Sequence, residues 1–229
     1  MDRGDTDRLL REKNLAFFGA VTASLSHELN NVCTIINELG GLLGDHMLMA
    51  EKGKPVDVER LKGISSKIGS QVQRGKETVK QLNNFAHSVD HPMESVTLSE
   101  ILEQLIASSR RLAALKKADL VGRFEGDDVE IRTSPFGLLQ AVFWCVKMAI
   151  DAVESGETIV IRFEPAEGGA TIIVETACPV RRTDEVRAEI DYLSVLMNEL
   201  DGRIECEPES ADISSFRLFF PSTPPKSGS

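Results

Sequence analysis

Long apolar runs are missing from this 229-residue chain. No stretch approaches the ~20 consecutive apolar residues that a bilayer span needs, so no membrane attachment is expected. The opening residues, MDRGDTDRLLREKN, are too charged for a secretory signal peptide. Cysteine is scarce and scattered. Cys33, Cys145, Cys178 and Cys206 form no C-x-x-C pair, so neither a zinc site nor a disulfide framework is indicated, and reduced thiols in a cytoplasm are expected. Proline occurs once in residues 1–90, at Pro55, and no strand pattern is found there. There are no internal repeats.

What is present is divided unevenly. The net charge is −10. Residues 1–90 hold 12 Lys+Arg and 12 Asp+Glu, whereas residues 91–229 hold 14 and 24. An acidic second part repels phosphates and argues against a nucleic-acid groove. Two domains are therefore expected, over 1–90 and 91–221, followed by a Pro/Ser-rich tail, 222–229, read as disordered.

The first part reads as two helices, roughly 5–50 and 57–89, joined by the turn Glu51-Lys-Gly-Lys-Pro-Val-Asp57. Phe18, Val21, Leu25, Leu29, Val32, Ile36, Leu39 and Leu43 recur at steps of three and four, a heptad-like stripe. Leu61, Ile64, Ile68, Val72, Val79, Leu82 and Phe85 repeat the pattern with a gap at Gly75. A hairpin of two such helices buries one seam only, so a homodimer forming a four-helix bundle is expected.

From about residue 94 the pattern changes. The spacing predicts strands at 95–98, 118–124, 129–133, 157–164, 170–177, 203–208 and 213–220. Helices are predicted at 99–116, at 135–154 (capped by Ser134 with Pro135 in its first turn) and at 183–200. The fold class is α+β: the helical hairpin followed by an α/β sandwich with helices on one face of a mixed sheet.

The chemistry concentrates at Ser26-His27-Glu28-Leu29-Asn30-Asn31. His27 lies two residues, about 200° of helix rotation, from both Leu25 and Leu29, so its imidazole points away from the apolar stripe. Asn31 is one turn along on the same face, and Glu28 flanks the ring within reach. An exposed imidazole beside a carboxylate to orient it and an amide to hold a water is a workable nucleophile. His46, His87 and His91 lie near helix ends or the interdomain link and read as solvated charges, His87 being placed to favour its helix dipole. Phe143, Trp144 and Met148 read as core against the sheet, and the acidic run 125–130 as a solvated turn.

The segment FGAVTASLSHELNN resembles the phosphoacceptor box of two-component histidine kinases, with Val32 in place of the usual proline. The resemblance continues. Residues 79–86 look like the family's second dimerisation helix, 138–153 like the helix of its first nucleotide motif, 201–205 like the turn and strand near its end, and 216–221 like its terminal strand. It implies His27 as phosphoacceptor and a second part with the fold of the family's ATP-binding domain. The departures fall in one pocket. Met148 stands where an asparagine ligates Mg²⁺, and a thioether does not suit that hard cation. Thr176 stands at the aspartate that reads adenine, with Cys178 and Val180 at the following glycines. Glu189-Ile-Asp-Tyr-Leu-Ser194 replaces the glycine-rich phosphate cradle, and the interval after Val180 is too short for a lid.

A kinase fold without ATP, metal or other cofactor is therefore expected. The function expected is a cytoplasmic histidine phosphotransferase rather than an autokinase, with His27, Glu28 and Asn31 at the site. Its partners are response-regulator receiver domains and a hybrid histidine kinase, not nucleic acid or membrane. Two readings stay open beside it: a non-catalytic module that binds a regulator or kinase, and an aspartyl-phosphate phosphatase using Glu28 and Asn31.

Overall fold

The computed structural model describes residues 3–90, 92–208 and 211–222. The expected disordered tail beyond Ser222 and His91 lie outside the described residues. Helix α1 (Arg3–Glu51) and helix α2 (Val58–His87) are followed by β1 (Glu94–Thr97), α3 (Leu98–Leu115), β2 (Asp119–Gly122), β3 (Glu130–Thr133) and α4 (Pro135–Ala152). Then come β4 (Thr158–Ala166), β5 (Gly169–Val180), α5 (Asp184–Glu199), β6 (Arg203–Cys206) and β7 (Ile213–Pro221). Every element expected from the sequence is present. Contacts group the chain into two compact units, residues 22–84 and residues 1–21 with 85–229.

In the helical unit α1 and α2 run antiparallel. Glu28 meets Arg74, and Val32 lies 3.3 Å from where a Cβ on Gly75 would stand. The gap in the α2 stripe is thus the point where the helices need a residue with no side chain. The α1 stripe divides. Leu25, Val32 and Leu39 are buried, whereas Leu29 and Ile36 are half-buried and Leu43 is exposed. On α2, Ile64 and Thr78 are buried, Leu61, Ile68 and Leu82 half-buried, and Val72 and Val79 exposed. One seam is closed within the chain; a second, flanking seam faces outward.

The other unit is built on a mixed five-stranded sheet of order β2-β4-β5-β7-β6, parallel only between β2 and β4. A separate antiparallel pair, β1 with β3, forms a second small sheet, where the sequence suggested one sheet. Strands β4 and β5 join through a two-residue turn whose Gly168 has φ +74°. The next residue must also be glycine, because a Cβ on Gly169 would stand 2.0 Å from the Phe220 carbonyl oxygen. Alternate residues of β4, β5 and β7, from Ile159 to Phe220, fill the core. On the opposite face Arg162 donates to Glu175 (Nε to Oε1 3.0 Å) and pairs with Glu164, which also accepts from Arg217 at 3.3 Å.

Helix α4 packs on β5 and between α3 and α5. It is the one helix among the described residues long and apolar enough to cross a membrane by length and composition. Its burial in this unit accounts for that composition. It begins as expected, with Ser134 Oγ accepting from the Gly137 amide at 3.2 Å and Pro135 at the first position. Helix α3 has no side-chain cap from its own N-cap, Thr97. Asp128 takes that role from the loop between β2 and β3, accepting from the Ser99 amide at 3.2 Å and from the Ser99 hydroxyl. The acidic run expected to be merely solvated therefore holds a helix end.

The first turns of α1 belong to this unit. Phe17, not the stripe residue Phe18, is fully buried, with its ring 5.4 Å from Phe85, 5.3 Å from Phe136 and 4.9 Å from Phe143. Asn14 Oδ1 accepts from Gln140 Nε2 at 2.6 Å.

Candidate functional site

Position 27 is helical through tertiary anchoring rather than propensity: Ser26, Asn30 and Asn31 beside it are middling helix formers, but its neighbours Leu25 and Val32 are anchored in the seam. That leaves His27 exposed, in mid-helix. Its Nδ1 lies 3.3 Å from the Asn31 side-chain nitrogen. The i,i+4 geometry of the helix makes the contact. The amide decides which ring nitrogen keeps its lone pair. With its N–H turned toward the ring, Nδ1 accepts and the proton resides on Nε2. With its oxygen turned in, Nδ1–H donates and Nε2 is free as a nucleophile.

Glu28 is placed differently from the expectation that it orients the ring. Its Oε1 accepts from Arg74 Nε at 2.6 Å, and its side chain keeps a third of its surface exposed. The carboxylate is held to α2, and the ring's partner is Asn31. Local sequence pattern does not single out Arg74 as the partner of Glu28. The pairing follows from the antiparallel register, which composition alone does not supply. Thr34 on α1 returns its hydroxyl to the Asn30 carbonyl at 2.8 Å. The other described histidines stand apart from this group. His46 is half-buried near the end of α1, and exposed His87 contacts Asp90 at 2.6 Å just past the end of α2.

The positions matched to nucleotide motifs all lie in the α/β unit. Met148 is buried on α4. Thr176 is buried on β5, and its hydroxyl donates to the Cys178 carbonyl at 3.0 Å while accepting from the Cys178 amide at 3.3 Å. A side chain so engaged with its own strand has little capacity left for a base. Val180 is buried and pairs with Ile213. Thr183, three residues on, already caps α5, accepting from the Val186 amide at 3.2 Å. On α5, Glu189 pairs with Lys13, and Tyr192 is buried. Burial, then the charge of Glu189, pushes the Tyr192 phenol up from its ordinary range. Burial does the same to the Cys145 thiol on α4.

No protein-family model matches the chain, and no curated protein matches it. Solved structures do. The catalytic domain of histidine kinase ThkA superposes with a TM-score of 0.50 at 16% identity, covering 58% of this chain and 98% of that one. Histidine kinase AdeS of Acinetobacter baumannii gives 0.49 at 15% identity, over 86% of this chain and 98% of that one. A bacterial phosphotransferase gives 0.44 at 14% identity, over 89% and 96%. The chain is histidine kinase-like in fold: a helical N-terminal part followed by an α/β domain of the type found in the ThkA catalytic domain.

Proposed function

We propose that the protein is a histidine phosphotransferase of two-component signalling, in which His27 exchanges phosphoryl groups with receiver-domain aspartates without ATP. The observation that carries this reading is the exposed His27 imidazole, with Asn31 against its Nδ1. In the forward step the Asn31 amide turns its oxygen to Nδ1–H so that Nε2 carries the lone pair; the acyl O–P bond of a receiver aspartyl phosphate breaks as an Nε2–P bond forms, the aspartate leaves as a free carboxylate, and the ring proton passes from Nδ1 to solvent. The return step reverses these bonds onto a second receiver. Transfer needs the reacting atoms about 3–3.5 Å apart, which an exposed mid-helix side chain permits. Glu28 and Arg74 lock the two helices beside the site.

The fold likeness to a histidine kinase catalytic domain supports assignment to two-component signalling. The side chains at Met148, Thr176, Cys178 and Val180, together with the three-residue interval before α5, support an ATP-free role for residues 91–221 as a docking domain. The outward seam of Leu29, Ile36, Leu43, Val72 and Val79 supports homodimerisation through residues 1–90.

The test is transfer of radiolabel from phosphorylated receiver domains to wild type, His27→Ala and Asn31→Ala. Acid-labile label on wild type and Asn31→Ala, with none on His27→Ala, supports the relay. Receiver binding by all three with label on none replaces it with a non-catalytic binding role. Calorimetry with Mg-ATP should show no heat of binding at millimolar concentration, and micromolar binding would refute the ATP-free assignment.

A further inference from the structure

Lys13, on the third turn of α1, does not end in solvent. Its ammonium lies 4.4 Å from the centroid of the Trp144 ring and 5.5 Å from that of Tyr192, and it pairs with Glu189. The two rings stand edge to face, 85° apart with centroids separated by 6.4 Å. Only 20% of the lysine side chain and 26% of the glutamate side chain remain exposed. Two aromatic surfaces and a carboxylate around one cation are the chemistry by which proteins recognise alkylammonium and guanidinium groups.

The cage is larger in hydrogen-bonding capacity than its occupant uses. Lys13 engages Glu189 Oε1. Glu189 Oε2 is buried and makes no hydrogen bond among the described residues. Tyr192 itself is 1% exposed. A buried carboxylate oxygen without a partner carries its desolvation cost, which a ligand with further donors would offset. A guanidinium offers five N–H donors in a planar fork, enough to bridge both carboxylate oxygens and reach the phenol. An ammonium on a flexible stem cannot span them together.

We propose that Trp144, Tyr192 and Glu189 form a binding cage for a basic side chain, held closed by Lys13 of the same chain and taken by an arginine of a partner protein when the first turns of α1 withdraw. Lys13 is then a competitive plug. This goes beyond the phosphotransfer reading and does not depend on His27. Phe17 anchors this stretch of α1 in the core, whereas N-terminal to Lys13 the helix presents exposed Arg8, Arg11 and Glu12, so withdrawal of the plug means fraying of the turns before Phe17.

The chain has one tryptophan and one tyrosine, and both line the cage, so intrinsic fluorescence reports on it alone. The full chain is compared as wild type, Lys13→Met, Lys13→Arg and Lys13→Met/Glu189→Gln. Methionine keeps the aliphatic stem and drops the charge. The probe is acetyl-arginine amide, with acetyl-glutamine amide as the neutral control. Lys13→Met should show shifted emission and a saturable response to the arginine probe. Wild type and Lys13→Arg should respond at least about tenfold more weakly, because the open state is a minor fraction. The double variant should not respond. Equal response by wild type and Lys13→Met would overturn the plug, and equal response by the double variant or to the neutral probe would overturn the cage. Should Lys13→Met not fold by circular dichroism, Glu189→Gln alone carries the test. It must shift Trp144 emission while leaving the arginine probe without effect, and an emission identical to wild type refutes the cage.

Discussion

The helical unit and the α/β unit dispose of their apolar side chains differently. The α/β unit closes its core: Ile159, Ile161, Ile172, Val174, Phe216 and Leu218 are all fully buried. The helical unit leaves part of its stripe in the open, with Val72 and Val79 more than 40% exposed. A two-helix layer has no third element to cover a second seam. The exposed imidazole of His27 stands on this less self-sufficient unit, while in the unit with the complete core Met148, Thr176 and Val180 are buried. Independence of the core and availability for exchange are therefore separated in this chain.

The largest effect expected is on assembly. Replacing Leu29 and Ile36 together by lysine puts charges on the outward seam while sparing Leu25 and Val32 inside the hairpin. Each apolar side chain buried in a dimer contributes about 1.5–3 kcal/mol, so sedimentation should change from dimer to folded monomer. A native wild type that already sediments as a monomer would remove the basis of the comparison.

Next is Phe17→Ala, which empties the ring cluster with Phe85, Phe136 and Phe143. It should cost about 3–5 kcal/mol in denaturant melts. Phe18→Ala, at a 39% exposed ring stacked on Phe85, should cost about 1 kcal/mol. Equal losses would mean that the first turns of α1 do not contribute to the α/β core.

Asp128→Ala should cost about 1 kcal/mol, the usual scale of a lost helix cap. Partial burial works to raise this carboxyl, but hydrogen bonds from Ser99 and Val129 outweigh it and hold it below the ordinary carboxylate range. A depressed folded value means the contribution is complete above the unfolded carboxylate range and is lost as pH falls through the folded value. Asp128→Asn should flatten that acid limb of the stability profile, and an unchanged limb would rule out the cap.

The smallest effect expected is at Arg74→Ala. The pair with Glu28 is exposed and screened, so less than about 1 kcal/mol should be lost, and the difference should vanish in 1 M salt, where the Debye length is about 3 Å. A salt-independent loss would show that Arg74 acts through packing.

Much of this was legible beforehand. The step pattern of α1, the Ser134-Pro135 cap and the alternation along β4 and β7 are local signals, so each element was found within a few residues. His27's exposure followed from its angle to Leu25 and Leu29. Two readings failed for a shared reason. Glu28 reaches Arg74 rather than His27, and Asp128 reaches Ser99 across 29 residues. Both partners are set by distant chain segments, on which local pattern is silent.

The sequence alone determined the element types and the mid-helix exposure of His27 with Asn31 one turn away, because helical and strand periods are local properties. Tertiary structure decided that Phe17 rather than Phe18 enters the core, that β1 and β3 form their own sheet, and that Lys13 ends between Trp144 and Tyr192. Those outcomes depend on which surfaces meet when the chain packs, and only the folded arrangement of distant segments fixes them.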